Sequence, residues 1–217
     1  TMVEFSNWMI ATQLLLALRW TVGLSLVAFA LGGLLGMGLL VLRISRWPGA
    51  ERAVAAYVQV FQGTPLLMQI FLVYFGLSML GLDASPMLSA CVCLSLYSAA
   101  YLCDIWRGAV NAVPKGQWEA SACLAMGFGE ALRHIILPQA LRLSIAPTTG
   151  FVVQIIKATA LTSVIGFVEI TKVGQLVANA TYEPFKIYGL VAALYFALCF
   201  PLSLWSQRLE KRLRPKR

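Results

Sequence analysis

Lys157 is the residue whose type and position ask most directly for chemistry. It lies ten residues after Pro147 and nine before Gly166 in an apolar run. At about 1.5 Å rise per residue, that places it roughly midway through a membrane's hydrocarbon. An ammonium group at that depth is costly unless paired, hydrated or met by a ligand. No acidic residue lies within one helical turn of it. Gln154 stands one turn earlier on the same face, and Thr159 is close by. The three would line a polar cavity suited to the carboxylate and ammonium groups of an amino acid. The alternative is that Lys157 bonds the carbonyls of a kinked helix and only fixes packing. Gly63-Thr64-Pro65 interrupts a second apolar run, because proline removes a backbone donor and clashes with the preceding turn. Broken helices at membrane depth occur where they meet protein or a water-filled cavity, which adds Gly63 and Thr64 to the candidate pathway. A simple proline kink is the competing account.

The second chemically distinct stretch is polar and charge-bearing, and lies between very hydrophobic ones. Lys115-Gly116 precedes a helical stretch from Gln117 to Ala125, and Gly127-Phe128-Gly129 makes a turn. A second helix then runs from Glu130 to about Leu137, before Pro138. Two short helices at a glycine corner make a compact knob. Ala120, Ser121 and Ala122 are small enough for a partner's groove to close on one face, and Glu119 adds an anionic contact. From these residues alone the knob is either a docking element or an amphipathic interfacial hairpin.

Composition says what must hold these residues. The chain has 217 residues, is 59% hydrophobic and only 12% charged, with a mean hydropathy of +0.78. A soluble domain carries about a quarter charged residues, so this is an all-α integral membrane protein. The net charge of +8 does not point to nucleic acid, since the basic residues cluster at the ends of apolar runs. Cys91, Cys93, Cys103, Cys123 and Cys199 form no C-x-x-C pair, and His134 is the single histidine. Buried small hydrophobes are the expected role of the cysteines. Neither a metal site nor a catalytic centre is expected, nor is a removable signal peptide.

The chain reads as one transmembrane domain over 1–217. Residues 1–19 form an N-terminal interfacial helix bracketed by Trp8 and Trp20. About five spans follow: Trp20 to Leu42, Pro65 to Leu80 after a short helix, Met87 to Trp106, Leu143 to Phe167, and Phe185 to Trp205. Gly32 and Gly36 form a G-x-x-x-G pair that admits another helix closely. Asp104 and Arg107, three apart, are expected to form a local ion pair. Thirteen of the 17 Lys and Arg residues fall into three groups, at 43–52, 107–142 and 208–217. The positive-inside bias makes these cytoplasmic, with the N-terminus outside, the C-terminus inside and 107–142 a cytoplasmic loop. The segment 166–183 then lies on the outer side. There is no internal repeat.

The loop resembles the coupling loop of ABC importer membrane subunits, E-A-A, three residues, G, nine residues, I-x-L-P. Glu119-Ala120 match, Ser121 stands for the second alanine, and Ile135, Leu137 and Pro138 keep the spacing. Ala125 stands where glycine is expected, so Gly127 is expected to supply the corner two residues later. Tyr57-Val58-Gln59-Val60-Phe61-Gln62-Gly63-Thr64-Pro65-Leu66-Leu67 is similar to Y-V-x-x-F-R-G-T-P-L-L of polar amino acid permeases, with Gln62 replacing the usual arginine. Arg107-Gly108-Ala109, Val113 to Ala120 and Lys157-Ala158-Thr159-Ala160-Leu161 are also similar to that family. Its usual Asn-Glu pair ahead of the lysine is replaced by Gly150-Phe151.

The resemblance implies the type I ABC importer permease fold in a bacterial inner membrane. It implies a second permease copy or a sister permease, two copies of a separate ABC ATPase, and an extracytoplasmic binding protein. ATP and Mg would sit on the ATPase, and no cofactor on this chain, which has no G-x-x-x-x-G-K-[ST] phosphate loop. Gly116, Gln117, Glu119, Ala120, Ser121, Ala122, Ala125 and Gly127 would carry the coupling contacts. Ala180 to Phe185 resembles the outer segment of permeases for histidine, arginine, lysine and opines, which implies a polar, basic amino acid. The rival readings are an ion-coupled transporter or channel without an ATPase, and a membrane scaffold for a soluble enzyme.

Overall fold

A computed structural model describes residues 6–44, 49–82 and 85–213, and every regular element among them is helical. Arg46 of the 43–52 group and Arg214, Lys216 and Arg217 of the 208–217 group lie outside the described residues, as does 1–5 of the N-terminal segment.

The first helix, α1 (Asn7–Ile44), runs unbroken for 38 residues. The segment expected as a separate interfacial helix is therefore the start of this element. No glycine or proline separates 7–19 from the apolar run, so nothing ends the helix there. At about 1.5 Å per residue it spans roughly 57 Å, nearly twice a bilayer's hydrocarbon, so its ends project.

The pair α2 (Ala50–Gly63) and α3 (Leu66–Met79) meet at 106° across Thr64-Pro65. The break is far sharper than a proline kink. Helix α4 (Pro86–Asn111) starts with a Ser85 cap, whose Oγ accepts from Leu88 N–H at 3.2 Å, and Pro86 in the first turn. It packs along α1 at the predicted glycines. A methyl group at Gly32 would collide with Ser98, and one at Gly36 would lie 3.0 Å from the Ala99 carbonyl. The partner of the G-x-x-x-G face is thus within the chain itself.

After α5 (Lys115–Cys123) comes α6 (Phe128–Ala131), then a π turn (Leu132–Ile136) that leads directly into α7 (Leu137–Ala158). Pro138 does not end a helix as expected. The π turn just before it leaves Pro138 in the first turn of α7, where a proline is tolerated, and Gln139 Nε2 donates to the Ile135 carbonyl at 2.9 Å. The fourth span therefore belongs to a helical run of 38 residues, Phe128–Ile165, ending in a 3₁₀ segment, Thr159–Ile165. Gly166, with φ 91°, closes that segment. Helix α8 (Ile170–Thr181) occupies the expected outer segment, and α9 (Pro184–Leu213) completes the bundle. Among the described residues four helical runs are long and apolar enough to span a membrane, or five if the bent pair α2–α3 counts as one span.

The core falls into parts. One cluster joins Leu24, Ala28, Ile70, Leu94, Tyr97, Phe151 and Ile165 from α1, α3, α4, α7 and the 3₁₀ segment. Another joins Ile10, Leu14, Ile170, Val177, Ile187 and Val191 from the start of α1, α8 and α9. A small third core, Ala109, Val110, Val113, Ile136 and Ala140, seats α5 against α4 and α7.

Candidate functional site

Lys157 and Gln154 are exposed side by side on α7, in a stripe that also carries Gly150 and Leu161. Gln154 Nε2 donates to Tyr97 Oη at 2.9 Å. Tyr97 in turn leans on Tyr101, ring centroids 4.5 Å apart, and Tyr101 stacks on Phe151 at 5.4 Å. Phe151, the residue in place of the resemblance's glutamate, is buried in this aromatic slab. The Lys157 ammonium has no hydrogen-bond or ion-pair partner among the described residues. Thr159 does not share the face: it is fully buried, its hydroxyl donating to the Ile156 carbonyl at 2.7 Å. Chemically, the face offers a cation and an amide, the amide braced by the buried Tyr97 hydroxyl, which together suit a carboxylate with a neighbouring polar group.

Gly63 and Thr64 are exposed at the α2–α3 corner, but the corner's polar atoms are turned on one another. Thr64 Oγ1 donates to the Val60 carbonyl at 2.7 Å. Gln69 Nε2 donates to the Phe61 carbonyl at 2.9 Å, to the Thr64 carbonyl at 3.0 Å and to Thr64 Oγ1 at 2.7 Å. Sequence reasoning missed Gln69, a buried amide that satisfies carbonyls freed by the break.

Asp104 and Arg107 do not pair with each other. Arg43 Nη1 meets Asp104 Oδ1 at 3.3 Å, Gln62 Nε2 reaches Asp104 Oδ2 at 3.5 Å, and Arg107 Nη2 meets Glu51 Oε1 at 2.9 Å. Long-range partners win because α1 and α2 bring opposite charges against α4. Arg43 supplies the cation at a corner where Gln62 contributes only an amide.

On α5, Gly116, Gln117, Glu119, Ala120 and Ala122 are exposed. Ser121 is the exception: it is 2% exposed and donates to the Trp118 carbonyl at 2.7 Å. It faces the molecule's own core and not a partner. Gln139 Nε2 donates to Gln117 Oε1 at 3.2 Å, and Trp118 stacks on Phe128 at 5.6 Å, so α5 is held to the start of α7. The corner forms at Ala125, φ 56°, and not at Gly127, whose φ is −66°. Met126 N–H bonds the Ser121 carbonyl and Ala125 N–H the Ala122 carbonyl, a Schellman cap with alanine in the left-handed position. Gly127 instead opens α6, its N–H donating to Glu130 Oε2 at 3.1 Å.

An exposed knob joined to a polytopic bundle with a polar stripe fits a transport subunit driven from outside. A family model described as binding-protein-dependent transport system inner membrane component matches residues 37–215. The chain belongs to that family. The arginine transport system permease protein ArtQ of Bacillus subtilis (strain 168) is 34% identical over 199 residues, 89% of each chain. The glutamine transport system permease protein GlnP of Escherichia coli (strain K12) is 33% identical over 95% of each chain. The crystal structure of an amino acid ABC transporter with histidines aligns with a TM-score of 0.89 at 30% identity, over 93% of this chain and 94% of that one. The permease is thus an amino-acid ABC transporter subunit and a multi-pass membrane protein, not an enzyme.

The permease also contains a polar site that no motif revealed. Glu169 is fully buried. Its Oε2 accepts from Tyr195 Oη at 2.8 Å and Thr171 N–H at 2.9 Å, and its Oε1 from Lys172 N–H at 2.9 Å. Burial pushes this carboxyl above the ordinary glutamate range, while the Thr171 N–H, the Tyr195 hydroxyl and the Lys172 N–H draw it back down. In the sequence it was one charge in an outer segment, with nothing to show what packs over it.

Proposed function

We propose that the permease moves a polar amino acid into the cytoplasm by alternating access, with Lys157 meeting the substrate carboxylate on a path completed by a second permease copy or a sister permease. The observation that carries this reading is the unpartnered Lys157 beside Gln154 on the exposed stripe of α7. An ammonium turned to lipid at that depth is costly, so a second subunit or a water-filled path must cover the face. The described basic residues at the ends of α1, α5 and α9 favour that side as cytoplasmic. There the exposed face of α5, with Glu119 and Ala120 at its centre, would receive the ABC ATPase, one copy per permease. An extracytoplasmic binding protein would deliver substrate at the opposite end. The two nucleotide states must contact α5 differently, or nothing moves.

Segment 180–185 and the kinship with ArtQ favour a basic substrate. The groups around Lys157 favour an uncharged polar side chain, as in the kinship with GlnP. Acidic side chains of the described spanning runs lie towards their ends, at Glu51, Asp104, Glu130 and Glu210.

The test is uptake in vesicles holding the permease with its ATPase and binding protein. Lys157→Met is expected to cut kcat/KM for uptake by about 100-fold, or roughly 2.7 kcal/mol of lost stabilisation. Unchanged kcat and KM would remove Lys157 from the path. Uptake proceeding without ATPase would favour an ion-coupled transporter.

A further inference from the structure

We infer that Glu169 is a positioning residue for transport: it joins α8 to α1 and α9 so that these elements move as one body during the cycle. The inference rests on the import reading above.

Glu169 is more than a helix cap. Its bonds to Thr171 and Lys172 N–H are those of an N-cap and need nothing beyond α8 itself. Two other elements reach in as well. The Tyr195 hydroxyl comes from α9, and the Thr21 hydroxyl of α1 lies 3.5 Å from Oε2 while accepting from Ile170 N–H at 3.3 Å. Thr171 Oγ1 lies 3.3 Å from Tyr195 Oη and closes the cage. The Tyr195 and Thr21 hydroxyls and the Thr171 and Lys172 N–H groups are the donors to the two carboxylate oxygens. Removing the carboxylate would take the acceptor from two part-buried backbone N–H groups and leave the Tyr195 hydroxyl with Thr171 Oγ1 alone.

The packing supports the same grouping of α8 with α1 and α9. The start of α1, α8 and α9 share a core of their own, and Ile165 and Phe167 belong to the other one. The chain crosses between them through a 3₁₀ segment that begins two residues after Lys157. Such segments inside long helices have poorer hydrogen-bond geometry than the α-helix and often mark hinges. Helix α9 also packs on α7, where Cys199 meets Val153 and Ile156 beside Lys157, so a displacement of α7 would reach α8 through α9 as well as through the 3₁₀ segment.

The geometry supplies a covalent substitute for the carboxylate. A Cβ placed at Gly174 of α8 lies 3.8 Å from Val191 Cβ of α9, a separation that a disulfide spans. In the intact complex, with the five native cysteines replaced by alanine, G174C/V191C can be oxidised with copper phenanthroline. Uptake should stay within about twofold of the reduced form, because the two helices already move together. Glu169→Ala is expected to lower maximal uptake by about tenfold with KM unchanged, and oxidised E169A/G174C/V191C to recover to within about threefold. A merely structural loss would lower the amount of assembled complex and would not separate kcat from KM.

Oxidation that blocks uptake in the Glu169 background would overturn the inference, since α8 and α9 would then have to part. So would an E169A complex with normal uptake, or one that the disulfide does not rescue. If E169A fails to assemble, the disulfide in the Glu169 background decides alone. A complex with no ATP-driven uptake in any form would overturn the import reading and this inference with it, an outcome distinct from the others.

Discussion

At Ala125 a single side chain sits in a conformation that its type disfavours. A left-handed backbone costs an L-residue about 1–2 kcal/mol, and only glycine escapes that cost. The Schellman hydrogen bonds and the small core under α5 hold it there all the same. Glycine would relieve the strain but lose about 0.4–1 kcal/mol through the flexibility of the unfolded chain. Ala125→Gly is therefore expected to raise stability by about 0–1 kcal/mol with uptake unchanged, read by thermal unfolding of the purified complex. A clear loss of stability would mean that the alanine methyl group itself makes contacts. Asp104 shows the same dependence on surroundings. Gln62 lacks the charge that the resemblance leads one to expect, and Arg43 of another helix provides it.

Among the elements, the broken pair α2–α3 depends on one amide. A 106° corner at membrane depth exposes carbonyls that water does not reach, and Gln69 takes up two of them. Gln69→Leu keeps the volume and removes the donors. It should cost about 1–3 kcal/mol in stability, and Gln69→Glu, which also loses the amide donors, should not restore it. Unfolding of each variant in detergent at fixed lipid content measures the difference, and a leucine variant as stable as the parent would show the corner held by packing alone. The π turn before Pro138 leaves it in the first turn of α7, so a residue that usually ends helices is carried inside a 38-residue run.

For the molecule as a whole, α5 is seated on a core shared with α4 and α7, and a push on α5 reaches both of those helices. On the face proposed to meet the ATPase, Glu119 is exposed. Glu119→Lys is expected to leave the assembled permease in the membrane at normal levels while ATP-driven uptake falls by about tenfold or more, since one reversed contact removes differential binding and not the fold. Full uptake by this variant would remove Glu119 from the coupling surface. The Arg43–Asp104 and Arg107–Glu51 pairs tie α1 and α2 to α4 at the same end. Their direct contribution to stability is small where exposed, as for Glu51.

The amino-acid order by itself determined the class, the approximate spans, the break at Thr64-Pro65, the knob around Glu119 and the family. Each of these is written in local terms: run length, proline, charge placement and motif spacing are properties of neighbouring residues. It also placed Gln154 and Lys157 on one face, because a helix repeats every 3.6 residues. What the tertiary structure alone decided is which polar atoms meet across elements. Ser121 and Thr159 turned inward, Ala125 rather than Gly127 made the corner, Arg43 replaced Arg107 as the partner of Asp104, and Glu169 became the centre of a buried cage. Those outcomes depend on residues far apart in the chain, such as Thr21 and Glu169 at 148 positions, brought together by close packing of whole helices. No periodicity along the chain records such a distance.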